Sequence, residues 1–322
     1  MKKSIFLFFA LVAGALNVFA QDCEETDVNY PGTASITFTR FTHKNLTGVF
    51  SVSGTRKVFF SQGNLQYQAS TGAWRFAEEQ WKSQGATGNN VSGDSRETQA
   101  AWIDLFPWGV SGWDSDGAGT YAYEPWATAG DWLPHNLTGS YAEADCAWHN
   151  NIVNGGLDSD GPQANEWRLL TRDEWDYLLN TRCAMHARER VGFGTLFGKR
   201  GIFLLPDEWE LSWWSEFVDL EGHTGVYTDN VIANNEAGQT KWDALEAHGV
   251  VFLPAGGYSG GTYANERGYY ASSTQGSYSN SNQMIVNFRA DGTFTISYST
   301  SGADNYAISK GWRVSLRPVR NL

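Results

Sequence analysis

Cysteine is scarce in this chain: Cys23, Cys146 and Cys183 are the only three in 322 residues. An exported protein with that inventory forms at most one disulfide and keeps one thiol over, Cys146 with Cys183 being the simplest pairing and the spacing leaving it open. A fold so thinly stapled must rest on its core. Basic clusters are missing as well, since 23 lysines and arginines stand against 35 acids, a formal charge of −12. Without a run of cations to follow a phosphate backbone, nucleic acid is not an expected partner. The six histidines form neither H-x-H nor H-E-x-x-H, so metalloprotease chemistry has no support. Beyond the first 20 residues no apolar stretch reaches membrane length, and no transmembrane segment is expected.

What is present begins with an export signal. Lys2 and Lys3 precede an apolar run from Ile5 to Val18, and Val18 and Ala20 suit cleavage before Gln21. Residues 1–20 are therefore expected to be removed, taking two lysines with them and the charge from −12 to −14. The mature chain is expected to be secreted, periplasmic or on the outer cell surface. Asp22 stands where a small residue should precede a lipidated cysteine, which argues against a lipid anchor on Cys23. With 15% aromatic and 41% hydrophobic residues, the chain reads as a folded globule rather than an acidic disordered tail.

Residues 21–50 are polar with scattered apolar positions (Ile36, Phe38, Phe41, Phe50) and read as a leader or short strand, and residues 51–322 as one domain. Val58, Phe60, Leu65 and Tyr67 predict strand on both sides of a Gln62-Gly63-Asn64 turn, continued by Trp74 and Phe76. From Trp81 to Gly161 the chain is rich in Gly, Ser, Asn and Asp but punctuated by Trp102, Trp108, Trp113, Trp126, Trp132 and Trp148. That pattern predicts a long irregular region pinned to the core by aromatic anchors. Thr171-Arg172-Asp173-Glu174 is a capping box, with Trp175, Leu178 and Leu179 at helical spacing behind it. A weaker helix signal starts at Thr240 to Asp243 around Trp242 and Leu245, stops at Gly249, and leads into a buried strand from Val250 to Leu253. Met284, Val286 and Phe288 alternate, Asp291-Gly292 predicts a hairpin, and Phe294, Ile296 and Tyr298 alternate on its return. Trp312 to Val319 is expected to be a closing strand, with Pro318 at a sheet edge. Few helices, a small antiparallel sheet and long irregular loops make the expected class α+β.

Seven of the 14 tyrosines lie between Gly257 and Tyr306: Tyr258, Tyr263, Tyr269, Tyr270, Tyr278, Tyr298 and Tyr306. Tyrosine supplies broad contact area at low entropic cost, and the Ser, Gly and Asn around it supply adaptable hydrogen bonds, the chemistry of antibody loops. The segment reads as a binding face on a stiff scaffold, against the plainer alternative of polar loops on a secreted β-rich protein.

Glu166-Trp167-Arg168-Leu169-Leu170-Thr171-Arg172-Asp173-Glu174-Trp175 resembles the "W-R-L-P-T-x-x-E-W" helix start of formylglycine-generating-enzyme-like domains, the sulfatase-modifying-factor branch of the C-type lectin fold. Gly268-Tyr269-Tyr270-Ala271-Ser272-Ser273-Thr274 and Gly311-Trp312-Arg313-Val314 resemble its "Y-W-S-S-T" strand and "G-x-R-V" ending. Ile103-Asp104-Leu105-Phe106-Pro107-Trp108-Gly109 and Leu204-Leu205-Pro206-Asp207-Glu208-Trp209 resemble secreted gut-bacterial proteins of this architecture. The pieces span about residues 55–320 in order. The resemblance implies a C-type lectin-like domain, but Ala271 replaces the usual Trp. Formylglycine-generating enzymes also need a C-terminal cysteine pair for copper, and no cysteine follows Cys183, so their activity does not carry over. Domains of this branch serve as variable proteins of diversity-generating retroelements, whose mutagenesis scatters Tyr, Ser, Asn and Asp over a C-terminal face. The composition of residues 257–306 is similar to such a region.

Other chemistries leave traces. Gly257-Tyr258-Ser259-Gly260-Gly261 matches G-x-S-x-G, but no histidine follows His248 and residues 262–268 read as turn, so the favoured interpretation is a loop that needs φ > 0. Asp114-Ser115-Asp116-Gly117 and Asp158-Ser159-Asp160-Gly161 begin like calcium loops. Their twelfth positions are Pro125 and Leu169, where a bidentate Glu belongs, and Asx turns explain both without metal. Calcium stays open as an agent that orders the loops. Cys183 and His186 lack the second ligand pair that zinc requires. Asp207-Glu208-Trp209-Glu210 and Trp213-Trp214-Ser215-Glu216 set acids beside tryptophans, as in glycosidases, or as in a segment that buries its tryptophans and wets its acids.

The function expected from these features is non-catalytic recognition of an extracellular protein or glycan, with no cofactor. The expected contact residues are Tyr263, Asn265, Tyr270, Gln275, Tyr278, Asn280, Tyr298, Asn305 and Tyr306. Two alternatives stand beside it: a polysaccharide- or glycoprotein-acting hydrolase using Glu208, Glu210 or Glu216, and a structural component of a surface assembly.

Overall fold

The computed structural model describes residues 45–68, 70, 73–84, 100–106, 113–114, 123–124, 167–182, 190–218, 226–258, 263–275, 282–289, 294–296, 308–309 and 313–322. Its strands begin with β1 (Asn45–Ser51), β2 (Lys57–Ser61), β3 (Leu65–Gln68), β4 (Ala73–Phe76), β5 (Leu105–Phe106), β6 (Trp113–Asp114) and β7 (Tyr123–Glu124). Helix α1 (Arg172–Asp176) follows and runs on into a π-turn at Tyr177–Thr181. Then come β8 (Val191–Leu196), β9 (Lys199–Leu204), β10 (Asn230–Ile232), α2 (Glu236–Ala247) and β11 (Val251–Pro254). The C-terminal part holds β12 (Arg267–Gln275), β13 (Asn282–Arg289), β14 (Phe294–Ile296), β15 (Ile308–Ser309), β16 (Val314–Ser315) and β17 (Val319–Asn321). Among the described residues this is an α+β fold with two α-helices and five small sheets.

The largest sheet has the order β14-β13-β12-β16-β5, with β15 also on β13; a second runs β10-β8-β9-β11 and a third β1-β2-β17. Two short pairs, β3-β4 and β6-β7, complete the set. The sheets are not purely antiparallel as expected, because β10 pairs β8 and β12 pairs β16 in parallel.

Alternation of side chains explains how the second sheet holds two cores apart. Ile202 and Leu204 of β9, with Val251 and Leu253 of β11, pack with Phe50, Phe60, Trp175 and Tyr270. Phe203 and Leu205, with Val250 and Phe252, pack on the other face with Trp209, Trp214, Trp242 and Leu245. Successive residues of a strand point to opposite faces, so a strand covered on both sides reads as the continuous apolar run seen at residues 250–253. Each such side chain contributes roughly 1.5–3 kcal/mol through burial.

Helix α1 starts as its capping box requires. The Glu174 amide donates to Thr171 Oγ1 at 3.2 Å, and the Thr171 amide donates to Glu174 Oε2 at 2.9 Å. The same carboxylate accepts Arg168 Nη1 at 2.6 Å and Nη2 at 2.9 Å, and Arg56 Nη1 at 2.8 Å. Burial pushes the Glu174 pKa upward, but these donors outweigh it and hold the group below its ordinary value. Arg168 also donates to Asn321 Oδ1 at 2.8 Å, so one buried ion pair ties α1 to the last strand.

Helix α2 begins earlier than expected. Its N-cap is Asn235, whose Oδ1 accepts the Gly238 amide at 2.8 Å. The exposed first turn, Glu236 to Gln239, carries no apolar periodicity, so a start sought from Trp242 and Leu245 falls a turn late. The stop is as expected: Gly249 has φ +88° and its amide donates to Glu246 O at 2.9 Å.

The expected closing strand divides in two. Val314–Ser315 joins the largest sheet and Val319–Asn321 the three-stranded one, where β17 is an edge, as Pro318 suggested. Residues 316–318 cross between them, with Leu316 O accepting from Leu65 N and Pro318 O from Ser61 N, each at 2.9 Å. Strands β2 and β3 likewise flank their turn but belong to different sheets.

Candidate functional site

The described part of the expected binding face is built where β11 hands over to β12. After Pro254 the backbone is clamped: Ala255 N donates to Arg200 O at 2.7 Å, Gly257 N to Arg267 O at 2.9 Å, and Asn265 N to Ala255 O at 2.6 Å. Gly257 has φ +73°, a conformation glycine adopts without steric cost. The next described residues form a turn, Tyr263 to Glu266, and then β12, where a nucleophile elbow would lead into a helix. Ser259 itself lies outside the described residues.

In that turn Tyr263 and Asn265 have φ of +59° and +63°. Asparagine tolerates the left-handed region; a tyrosine there costs of order 1–3 kcal/mol and persists only when its surroundings enforce it. Both Glu266 N and Arg267 N donate to Tyr263 O, at 2.9 and 3.0 Å, which supplies the enforcement. The result is a tyrosine ring at the surface, 39% exposed.

Aromatic and cationic groups surround it. Arg267 Cζ lies 4.0 Å over the Tyr263 ring, and Tyr258 stands 5.8 Å from Tyr263 and 5.1 Å edge-on to Tyr269. Arg200 Cζ lies 5.7 Å over Tyr227, whose hydroxyl donates to Glu266 O at 3.1 Å. Such contacts fix side-chain planes at modest gain.

The expected contact residues separate sharply. Tyr263 is on the surface. Asn265 is exposed, but its Oδ1 accepts the Arg200 amide at 2.7 Å, so its side chain latches the turn to β9. Tyr270 corrects the expectation: it is fully buried, its hydroxyl donating to Pro254 O at 3.0 Å and accepting from Asn64 Nδ2 at 3.2 Å. Burial pushes its pKa well up, with Asn64 acting in the opposite direction. It is a core residue because β12 is the middle strand of its sheet, covered on the Tyr270 side by Trp175 and Phe288. Gln275 ends β12, and its side chain lies outside the description. Tyr278, Asn280, Tyr298, Asn305 and Tyr306 lie outside the described residues. Sequence reasoning passed over Arg200 and Arg267, since a search tuned to tyrosine and amides gives charged residues no weight, and Tyr227, since it lies outside residues 257–306. The basic start of β12, directly after a tyrosine-bearing turn, was the available signal.

The acidic alternative has a different geometry. Glu208, Glu210 and Glu216 are exposed, and Glu216 pairs with Lys241 at 3.0 Å. Trp209 and Trp214 are buried in the second core, and Trp213 stacks on His248 at 3.9 Å. This is the arrangement of buried tryptophans and wet acids. Asp207, between them and the core, accepts Ser51 Oγ at 2.6 Å and Arg182 Nη1 at 3.0 Å, a structural bond that offsets the burial drawing the Arg182 pKa down to about 10.

Among the described residues no group of three or more His, Cys, Asp and Glu is placed to hold a metal. Asp114 ends β6, while the rest of both D-x-D-G loops, the three cysteines and His186 lie outside the description. Among the described residues no helix is long and apolar enough to cross a membrane. Compared with protein-family models, curated proteins and solved structures, the chain matches none.

Proposed function

We propose that this is an exported, non-catalytic C-type lectin-like domain of the sulfatase-modifying-factor type, which recognises an extracellular protein or glycan through its Tyr/Ser/Asn-rich C-terminal surface. The observation that carries the binding function is Tyr263, a tyrosine kept in a strained conformation with its ring toward solvent and a guanidinium against it. Strain of this kind costs stability and is retained where it positions a group for use. Support for the fold comes from the sequence pieces that carry the resemblance, which meet in space. Ser273 N donates to Leu170 O at 3.0 Å, Arg172 N donates to Thr274 Oγ1 at 2.9 Å, and Tyr270 lies opposite Ser315.

Residues 257–306 vary by retroelement mutagenesis in this proposal, with the buried positions of β12 exempt because core packing tolerates little change. Sequencing the locus across strains tests that part: substitutions concentrated at Tyr263 and its exposed neighbours, sparing Tyr270, are expected, and even drift along the chain rejects it. Binding is tested on glycan and surface-protein arrays with the mature chain and with Tyr263→Ala. A ligand lost by the variant at unchanged melting temperature is expected, and unaltered binding rejects the role of this surface.

A further inference from the structure

Asn265 completes a backbone pair that the second sheet leaves half made. The register of β9 against β11 carries past Pro254 and sets Ala255 opposite Arg200, a pair that in an antiparallel ladder exchanges two backbone bonds. Only one of the two is formed, Ala255 N donating to Arg200 O at 2.7 Å. Asn265 stands in for the other, since its Oδ1 accepts the Arg200 amide at 2.7 Å and its own amide donates to Ala255 O at 2.6 Å. Its Nδ2 lies 3.5 Å from Gly198 O, a weaker contact. One residue thus splices the 263–266 turn into the end of the β9–β11 ladder.

The hairpin that Asn265 grips is itself fixed. Phe197 and Gly198 form the two-residue link between β8 and β9, with φ of +51° and +82°, the left-handed pair that a tight hairpin needs. Phe197 N donates to Ile232 O at 3.0 Å, and its ring stands edge-on to Trp81 at 4.7 Å against the second core. In the other direction Asn265 lies two residues from Tyr263, inside the turn whose amides bond Tyr263 O. The Tyr227 hydroxyl adds a further hold on that turn at Glu266 O, 3.1 Å away. Asparagine suits the position on two counts, because it tolerates φ of +63° and its short amide substitutes for a peptide group. We propose that Asn265 is not a ligand contact but a positioning residue, whose amide locks the strained Tyr263 turn to the β8–β9 hairpin and so fixes where the ring is presented. This rests on the binding function proposed above and names the residue that preorganises its surface.

The test compares three variants of the mature chain. Asn265→Gly keeps the left-handed backbone but has no amide, Asn265→Asp keeps an acceptor for Arg200 N, and Ala264→Gly loosens the same turn without touching the splice. Hydrogen exchange is read at the Glu266 and Arg267 amides, whose acceptor is Tyr263 O, with the amides of Val251 to Leu253 in β11 as internal control. Exchange at the two turn amides should rise about tenfold or more in Asn265→Gly, stay near wild type in Asn265→Asp and rise far less in Ala264→Gly, with the control unchanged. On glycan and surface-protein arrays, the spots bound by wild type should weaken about tenfold in Asn265→Gly and stay close to wild type in Asn265→Asp. Unchanged exchange in Asn265→Gly, or equal loosening in either of the other variants, would overturn the inference. So would binding lost in Asn265→Gly while the turn amides stay protected, which would make Asn265 a direct contact. If wild type binds no spot, or Tyr263→Ala leaves every spot bound, the proposed binding surface falls, and the exchange rates alone decide whether Asn265 fixes the turn.

Discussion

Tyr263 and Tyr270 are the same residue type, close in sequence on one turn-and-strand unit, yet they do opposite work. Tyr263 sits at φ +59° with its ring partly in solvent, while Tyr270 is fully buried with its hydroxyl bonded to Asn64 and Pro254. Around Tyr270 lies a buried frame in which the Arg168–Glu174 bond fastens α1 to the strand that ends the chain. Around Tyr263 lies a rim in which stability is given up to hold a surface in place. A protein that must present a surface needs both, because the rim keeps its strained shape only where the frame over-determines it.

The contrast is most easily broken at the frame. Glu174→Ala leaves the Arg168 guanidinium buried without its carboxylate and should cost about 3–5 kcal/mol in urea denaturation, as breaking a buried pair does. The wild type also carries a signature in acid. Because the folded-state pKa of Glu174 is lowered, the bond contributes fully above the unfolded-state value near 4.5 and is lost as pH falls through the folded value. Glu174→Gln should flatten that acid limb of the stability curve; an unchanged limb would show that other carboxylates govern it.

A smaller effect is expected at Tyr270→Phe, which removes the hydroxyl but keeps the ring. Leaving Asn64 and Pro254 O short of a partner should cost about 1–3 kcal/mol with no change in ligand binding. Binding lost in this variant at full stability would return Tyr270 to the recognition surface. The smallest stability change belongs to Tyr263→Gly, where relief of the left-handed strain opposes the loss of ring contacts and the net should stay within about 1 kcal/mol of wild type. Binding should nonetheless fall at least tenfold, and that separation of stability from binding is what distinguishes rim from frame.

Local signals in the sequence carried well into the structure. The capping box at Thr171, the inward face of Trp175, Leu178 and Leu179, the stop at Gly249 and the hairpin between Met284 and Ile296 all depend on neighbours a few residues away. The start of α2 was hidden because a solvent-facing turn leaves no apolar pattern. The division of the last strand was hidden because Val314 and Val319 satisfy one alternation while belonging to two sheets. Tyr270 was misassigned for a related reason: composition states which side chains are suited to contact but not which face of a central strand they occupy.

Sequence by itself determined the α+β class, the capping box of α1 and the stop of α2, since each follows from backbone preference and short-range periodicity. Only the tertiary structure decided which tyrosine faces water, that Arg267 lies over its ring, and that the acids beside Trp209 face solvent. Those outcomes depend on contacts between residues far apart in the chain, where the covering of a strand's two faces, and not the strand itself, sets what is buried.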